Sequence, residues 1–225
     1  TDSGLLADGV RVISRLLKQS RTVVGEAADT LDGAFRSRTR SAQQHLQRIY
    51  KAVRQRGEEA GERVVAAYRA LVQVTQASLD QMCRVRTVLQ ENTTTQADHL
   101  RRQMDHYQTL IEKVIAQTKQ RVFDGQAVPA DDKVVSLFEP HTDVIRRGRV
   151  GRPVEFGRKV WLGEVEGGIV TEYRILEGNP PDSDPVLESL THHCTIFSKP
   201  PHLLAGDRGT YSPDNEQQAK DQGVK

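Results

Sequence analysis

The distribution of proline constrains the fold of this chain more than any other feature of its sequence. All nine prolines lie between positions 129 and 213, so residues 5–122 contain none. Proline removes a backbone donor and its ring clashes with the preceding helical turn, so a long stretch without proline permits long uninterrupted helices. We therefore predict a helical region over residues 1–127 and a second domain, of different architecture, over 128–225.

Apolar residues in the proline-free region recur at helical spacing. One stretch follows the three-and-four spacing of an amphipathic helix: Leu100, Met104, Tyr107, Ile111 and Val114. Breaks are expected near Ser20, around Gly57 and Gly61, and at 91–95, where a helix end is followed by a new N-cap. The pattern predicts about four helices that form antiparallel hairpins or a small bundle.

The second region alternates short apolar runs with turn signals. Four runs have the composition of strands: 133–139, 157–165, 169–176 and 202–206. The glycines at 167 and 168 predict a hairpin turn, and helices are expected over 184–196 and from Ser212, with Pro213 at its first position. This order of elements is typical of part of a mixed α/β sheet, so the predicted fold class is α+β.

Charge is distributed unevenly between the two regions. Residues 1–130 carry 20 Lys and Arg against 14 Asp and Glu, whereas residues 131–225 carry 12 against 16. A basic half is compatible with nucleic-acid binding, although most charged helix faces are only solvated. No apolar run approaches the roughly 20 residues of a membrane-spanning helix. The two cysteines lie in unrelated segments, which favours reduced thiols and a cytoplasmic location.

Asp207 is a candidate functional residue because it directly follows an apolar run, 202–206. Open α/β sheets usually keep their chemistry at the C-terminal ends of strands, where a carboxylate can bind a divalent metal. A second interpretation is that Asp207 starts an Asx-type turn before the helix at Ser212. Spacing alone favours the turn, and the metal site remains an alternative.

The densest basic cluster of the chain lies between the predicted strands. Residues 143–153 read as a glycine-containing loop, and the cluster comprises Arg146, Arg147, Arg149, Arg152, Arg158 and Lys159. Such a loop can contact the phosphate backbone of a nucleic acid, or it can be a solvated loop without a partner.

Four short motifs, taken in order, resemble a known family. They read FEPHT from Phe138, GRPVEFG from Gly151, GNPPDSD from Gly178 and DRGTYS from Asp207. Together they resemble the DDE transposases of bacterial insertion sequences, specifically those of the ISNCY type. The resemblance covers most of the chain: it is close at both ends and in the second region, while the middle helices match only by pattern.

The resemblance implies an RNase-H-like fold that is interrupted after its first strand by a long helical insertion. It implies that two Asp residues and one Glu hold two Mg²⁺ (or Mn²⁺) ions for DNA cleavage and strand transfer during transposition. Asp207 matches the second catalytic aspartate and would be a metal ligand. The basic cluster, together with Arg208, would bind DNA at the transposon ends, and the intact protein would act as a homodimer.

The sequence also departs from that family pattern. The first aspartate is expected upstream of Thr1 and the glutamate beyond Lys225, so we expect this chain to be a truncated fragment that is inactive alone. Gly206 and Thr210 replace a usual alanine and a usual aromatic residue, which predicts looser packing around Asp207. The alternative function is a non-catalytic helical module that binds DNA or another protein through the basic residues of 1–130.

Overall fold

A computed structural model describes residues 1–56, 59–146, 151 and 154–224 of the chain. The chain divides into two compact units, Thr1–Pro140 and His141–Lys225. Among the described residues the first unit contains four α-helices, and the second contains two α-helices and two small antiparallel sheets. The protein is therefore of the α+β class. No helix in the described part of the chain is both long and apolar enough to cross a membrane.

The helical unit is organised around its first helix. Its helices are α1 (Asp2–Val24), α2 (Thr39–Arg54), α3 (Ala60–Leu89) and α4 (Thr95–Thr118). Helix α1 packs against the other three, and α2 also packs against α3. The largest fully buried side chains of the unit include Leu6, Ile13, Leu16, Met82 and Met104. The three-and-four spacing of apolar residues thus forms one shared core.

The helix ends follow the predicted signals at some positions and not at others. Thr94 caps α4 as the sequence predicts, because its hydroxyl accepts a hydrogen bond from the Ala97 amide at 3.3 Å. The break expected near Ser20 was wrong. Ser20 is buried inside α1, and its hydroxyl donates to the Leu16 carbonyl at 2.8 Å, which satisfies the hydroxyl without ending the helix. The helix continues to Val24, and a 3₁₀ turn, Gly25–Thr30, follows it.

The apolar run 133–139 is not a strand, contrary to the prediction. The Gln117 side chain in α4 donates to the Val134 carbonyl at 3.1 Å and accepts from the Val134 amide at 3.0 Å. One side-chain amide therefore makes the two hydrogen bonds that a neighbouring strand would make. Val134 and Leu137 are buried in the helical core. For this reason the first unit extends to Pro140, beyond the boundary at 127/128 that the sequence suggested.

The second unit contains two separate two-stranded sheets. Its elements are β1 (Asp143–Arg146), β2 (Val154–Gly157), β3 (Val160–Val165), β4 (Ile169–Ile175), α5 (Val186–Phe197) and α6 (Pro213–Asp221). Strands β1 and β2 pair antiparallel, as do β3 and β4. Residues 143–146, which were expected in a loop, form β1 because they pair with β2. The run 157–165 begins as a strand only at Val160, and the described strands form no parallel pair.

The β3–β4 hairpin and the α6 start confirm their sequence predictions. Gly167 and Gly168 both adopt positive φ, at 90° and 77°, which the tight connection between the strands requires. At α6 the Ser212 hydroxyl accepts a hydrogen bond from the Asn215 amide at 3.1 Å, with Pro213 at the first helical position. Helix α5 begins at Val186, one residue after the predicted first position, Pro185, and no side chain caps its N-terminus.

One face of the β3–β4 hairpin packs on α5 through polar contacts. The Trp161 indole donates to the Ser189 hydroxyl at 3.1 Å, and that hydroxyl in turn donates to Glu172. Glu172 is buried and pairs with the Arg174 guanidinium at 2.7 Å. The opposite face of the hairpin is apolar and exposed: Val160, Leu162, Tyr173 and Ile175 are each more than half exposed.

The run 202–206 was predicted to be a buried strand, and this prediction was wrong. These residues are assigned to no strand, and all of them are exposed. Leu203 and Leu204 keep 68% and 42% of their surface accessible. No described strand lies in register with the run, so nothing holds it in a sheet.

Candidate functional site

Asp207 follows the exposed run 202–206 and organises the turn that leads to α6. Its Oδ1 accepts hydrogen bonds from the Gly209 amide at 2.9 Å and the Thr210 amide at 3.2 Å. The Thr210 hydroxyl donates to the Asp207 carbonyl at 2.7 Å. Asp207 therefore forms the Asx-type turn that spacing favoured. Its other carboxylate oxygen, Oδ2, accepts no hydrogen bond from any described residue, so the turn leaves one oxygen available to a ligand.

A second carboxylate, that of Asp182, lies close to the same turn. A Cβ atom placed on Gly209 would be 2.9 Å from Asp182 Oδ2 and 3.2 Å from Asp207 Oδ1. Those two oxygens are therefore no more than 6.1 Å apart, the sum of the two distances. A side chain at position 209 would therefore crowd both carboxylates, and the tip of Asp182 would have to shift.

The Lys159 ammonium group compensates part of this negative charge. Lys159 Nζ lies 2.9 Å from Asp182 Oδ1 and donates to the Pro180 carbonyl at 2.6 Å. The lysine side chain is only 14% exposed, so the pair is partly shielded from solvent. Lys159 was predicted to bind DNA, but in this arrangement it holds the 180–182 segment against the start of β3.

A cleft of about 430 Å³ adjoins Asp207 and is bounded by the 204–212 segment and α6. On its α6 side, the Lys220 ammonium lies 2.6 Å from Glu216, and this hydrogen bond lowers the pKa of the Glu216 carboxyl. The Tyr211 hydroxyl also donates to Glu216, which raises the pKa of that phenol. At neutral pH the cleft therefore carries an ionised, already paired glutamate and a neutral tyrosine.

The predicted DNA-binding residues other than Lys159 have different surroundings in the structure. Arg147, Arg149 and Arg152 lie outside the described residues, and Arg146 ends β1. Arg158 is exposed, and its Nε donates to the His141 carbonyl at 2.9 Å. Arg208 is exposed directly beside Asp207 and is in no ion pair with a described acid.

The donor set fits a hydrated divalent ion only in part. Mg²⁺ in proteins is commonly held by one or two carboxylates, with water and phosphate oxygens completing its shell. Asp207 and Asp182 supply two carboxylates, one of which is shared with Lys159. Within the described ranges no group of three or more acidic, histidine or cysteine side chains could hold a metal ion. The chain thus offers a partial site that requires further oxygen ligands.

Sequence reasoning did not single out Asp182. It is separated from Asp207 by 24 intervening positions, and no local periodicity links the two. The signals that could have identified it are the GNPPDSD motif, which contains it, and the glycine two residues after Asp207. A glycine at that point indicates a close approach of another part of the chain.

Gly206 and Thr210 are fitted to each other, whereas the sequence predicted looser packing at these positions. A Cβ on residue 206 would collide with the Thr210 hydroxyl and lie 3.2 Å from its Cβ. We expect Gly206→Ala to force that hydroxyl off the Asp207 carbonyl and to lower the free energy of unfolding by about 1 kcal/mol.

A double-mutant cycle measured by urea unfolding tests this contact. In a Thr210→Ala background the hydroxyl is already absent and only the Cβ contact remains, so adding Gly206→Ala is expected to cost less than it does in the wild type. Strictly additive effects of the two substitutions would show that the contact does not exist in solution.

Comparison of the chain with known family models, with curated proteins and with solved structures finds no match in any of the three.

Proposed function

We propose that this chain is part of a DDE transposase of a bacterial insertion sequence and that it carries the second catalytic aspartate, Asp207. The four ordered motifs support this proposal, and two of them each contribute an acid to one small region, which also contains Lys159, two residues after a third motif. Lys159 follows the GRPVEFG motif, Asp182 belongs to GNPPDSD and Asp207 begins DRGTYS. The ion pair between Lys159 and Asp182 connects the first two, and Gly209 connects Asp182 to Asp207.

The single observation that carries the proposal is the geometry around Gly209. Asp207 presents one carboxylate oxygen that its own turn does not use, and the carboxylate of Asp182 lies on the other side of Gly209. Carboxylates held in this way are the ligands that Mg²⁺ or Mn²⁺ takes when it binds nucleic-acid phosphates. When bound, such an ion activates an oxygen nucleophile and stabilises the charge that develops on a phosphodiester.

The residues of the chain itself would orient and bind. Asp207 and Asp182 would hold the ion, with Lys159 keeping Asp182 in place. Arg208, which is exposed beside Asp207, would contact a DNA phosphate together with the basic residues of 146–152. The resemblance implies three catalytic acids, of which Asp207 matches one, so Asp207 and Asp182 by themselves are expected to bind the metal weakly.

The proposed fold of the second unit is a partial RNase-H-like domain. Its order of an antiparallel hairpin, a helix, an irregular segment and a second helix supports this assignment. The alternative function, a non-catalytic DNA-binding helical module, is favoured by the surplus of six positive charges over residues 1–130.

Mn²⁺ binding followed by NMR tests the proposed site directly. Paramagnetic Mn²⁺ is expected to broaden the backbone amide signals of residues 206–210 in the wild-type chain. Asp207→Asn keeps the oxygen that accepts the turn hydrogen bonds and removes the charge, so it is expected to abolish the broadening. Asp131→Asn, which changes an exposed acid of the helical unit, is the matched control and is expected to leave the broadening unchanged. Equal broadening in wild type and Asp207→Asn would contradict the site.

A further inference from the structure

Helix α2 carries an exposed polar stripe opposite its buried side. Ala42, Leu46, Ile49 and Ala52 are buried in the helical unit. On the opposite side five exposed residues follow one line along the helix: Arg40, Gln44, Gln47, Lys51 and Arg54. They occupy positions i, i+4, i+7, i+11 and i+14, which a helix places above one another. At 1.5 Å per residue, the stripe is about 21 Å long.

The positive charge of this stripe is uncompensated. Residues 33–57 contain seven Lys and Arg and no Asp or Glu. In the part of the chain that the structure describes, Arg40, Lys51 and Arg54 form no ion pair. Arginines on the three other helices of the unit do have acidic partners: Arg11 with Asp8, Arg86 with Asp105, and Arg101 with Asp98. Some other cations of the unit, such as Arg84 and Lys113, also have no described acidic partner. The seven positive charges of 33–57 nevertheless exceed the surplus of six over residues 1–130, so the net charge is concentrated around α2.

A groove beside the stripe widens the basic surface. It has a volume of about 380 Å³, lies between α2 and α3, and is lined in part by Arg48, Lys51 and Arg63. His45 also lines this groove, and burial together with the nearby Arg48 lowers the pKa of its imidazole. At neutral pH the charge of the surface therefore comes from arginine and lysine alone.

The exposed side of α2 does not fit a membrane surface. A helix that lies on a bilayer inserts an apolar face into the headgroup region, whereas the apolar side of α2 is already buried against α1 and α3. What remains outside is a row of cations and glutamines without acids, with two exposed apolar side chains, Tyr50 and Val53, to one side of it. Cations spaced along a helix complement the phosphates of a nucleic acid, and a B-form major groove is wide enough to admit an α-helix.

We propose that the stripe of α2 is a binding surface for duplex DNA, with Arg40, Lys51 and Arg54 contacting backbone phosphates. This surface is separate from the site at Asp207 and lies in the other compact unit. The proposal rests on the proposed function only for the choice of DNA as the partner. A-form RNA has a deep and narrow major groove, so duplex RNA of the same sequence should bind more weakly.

The test compares two triple variants that remove the same charge. Arg40→Gln, Lys51→Gln and Arg54→Gln together neutralise the stripe. Arg84→Gln, Lys113→Gln and Lys119→Gln remove three exposed cations elsewhere in the helical unit. Binding of a fluorescent DNA duplex is measured by anisotropy at several salt concentrations, after thermal unfolding has shown that both variants fold like the wild type.

The stripe variant is expected to bind DNA about tenfold more weakly or worse, with a salt slope smaller by roughly 2 to 3, whereas the control variant changes both only slightly. Equal losses in the two variants, or no loss in either, would overturn the proposal and identify the stripe as a solvated face. The proposal would also be overturned if the stripe variant lost binding to phosphatidylserine vesicles but kept its affinity for DNA.

The DNA-binding results also distinguish a failure of the α2 proposal from a failure of the proposed function. A wild-type chain that binds DNA, with undiminished affinity in the stripe variant, refutes only the role of α2. A wild-type chain without affinity for DNA refutes the α2 surface and removes DNA as a partner of the chain, while the Mn²⁺ experiment at Asp207 stands independently.

Discussion

Replacing Asp207 with asparagine is expected to reduce Mg²⁺-dependent strand transfer by about a hundredfold or more in the protein expressed from its complete reading frame. The size follows from metal catalysis, since stabilisation of the developing charge by a bound ion contributes several kcal/mol and each 1.36 kcal/mol changes a rate about tenfold. Asparagine still accepts the hydrogen bonds from the Gly209 and Thr210 amides through its Oδ1. The expected loss of activity would therefore come from removal of the negative charge and of the second carboxylate oxygen. It would not come from disruption of the turn.

Asp214→Asn provides the control for this measurement. Asp214 is an exposed acid in the first turn of α6, so the substitution makes the same chemical change a short distance along the chain. Strand transfer is expected to stay within about twofold of wild type, since surface substitutions are usually worth less than 0.5 kcal/mol. Strand transfer by Asp207→Asn at the wild-type rate, with either Mg²⁺ or Mn²⁺, would refute the catalytic assignment.

Leu16→Ala is expected to lower the free energy of unfolding of the helical unit by about 3 kcal/mol. Leu16 has no exposed surface and lies on α1, the helix that packs against all three others. Truncation at this position removes buried methyl groups and leaves a cavity at the centre of the unit. Urea unfolding followed by circular dichroism at a helical wavelength should show a lower midpoint with an unchanged slope.

Val53→Ala is the matched control for the core substitution. Val53 lies on α2 with 63% of its surface exposed, so its truncation removes little buried surface. We expect a change of less than about 0.5 kcal/mol. A small effect of Leu16→Ala, comparable to that of Val53→Ala, would mean that the helices do not share the core described here.

The sequence predicts well those elements whose signals are local. The absence of proline and the three-and-four spacing indicate long helices, and Thr94 and Ser212 cap helices through their own hydroxyls. The hairpin turn at Gly167 and Gly168 follows from glycine at positions that need positive φ. In each case the residues that determine the structure lie within a few positions of it.

The errors arise where a distant residue decides the structure. The run 133–139 has the composition of a strand, but Gln117 satisfies the backbone of Val134, so no strand partner is needed. The run 202–206 is equally apolar, but no described strand pairs with it. Composition indicates that a segment can be a strand, whereas pairing depends on which partner the fold supplies.

The candidate site was predictable only in part for the same reason. Asp207 could be selected because it follows an apolar run and precedes a helix start, and both of these are local features. Its neighbour Asp182 could not, because their proximity depends on the turn at 207–210 and on Gly209. The uncompensated charge of α2 was present in the sequence, but only the pattern of burial shows that the cations share one exposed line.

The apolar outer face of the β3–β4 hairpin has a consequence for the behaviour of the chain in solution. Two-stranded sheets leave backbone donors and acceptors unpaired along their outer edges, and such edges recruit strands from other molecules. In this unit they occur together with exposed Val160, Leu162 and Tyr173, and with exposed Leu203. We therefore expect self-association at high protein concentration to begin in the second unit.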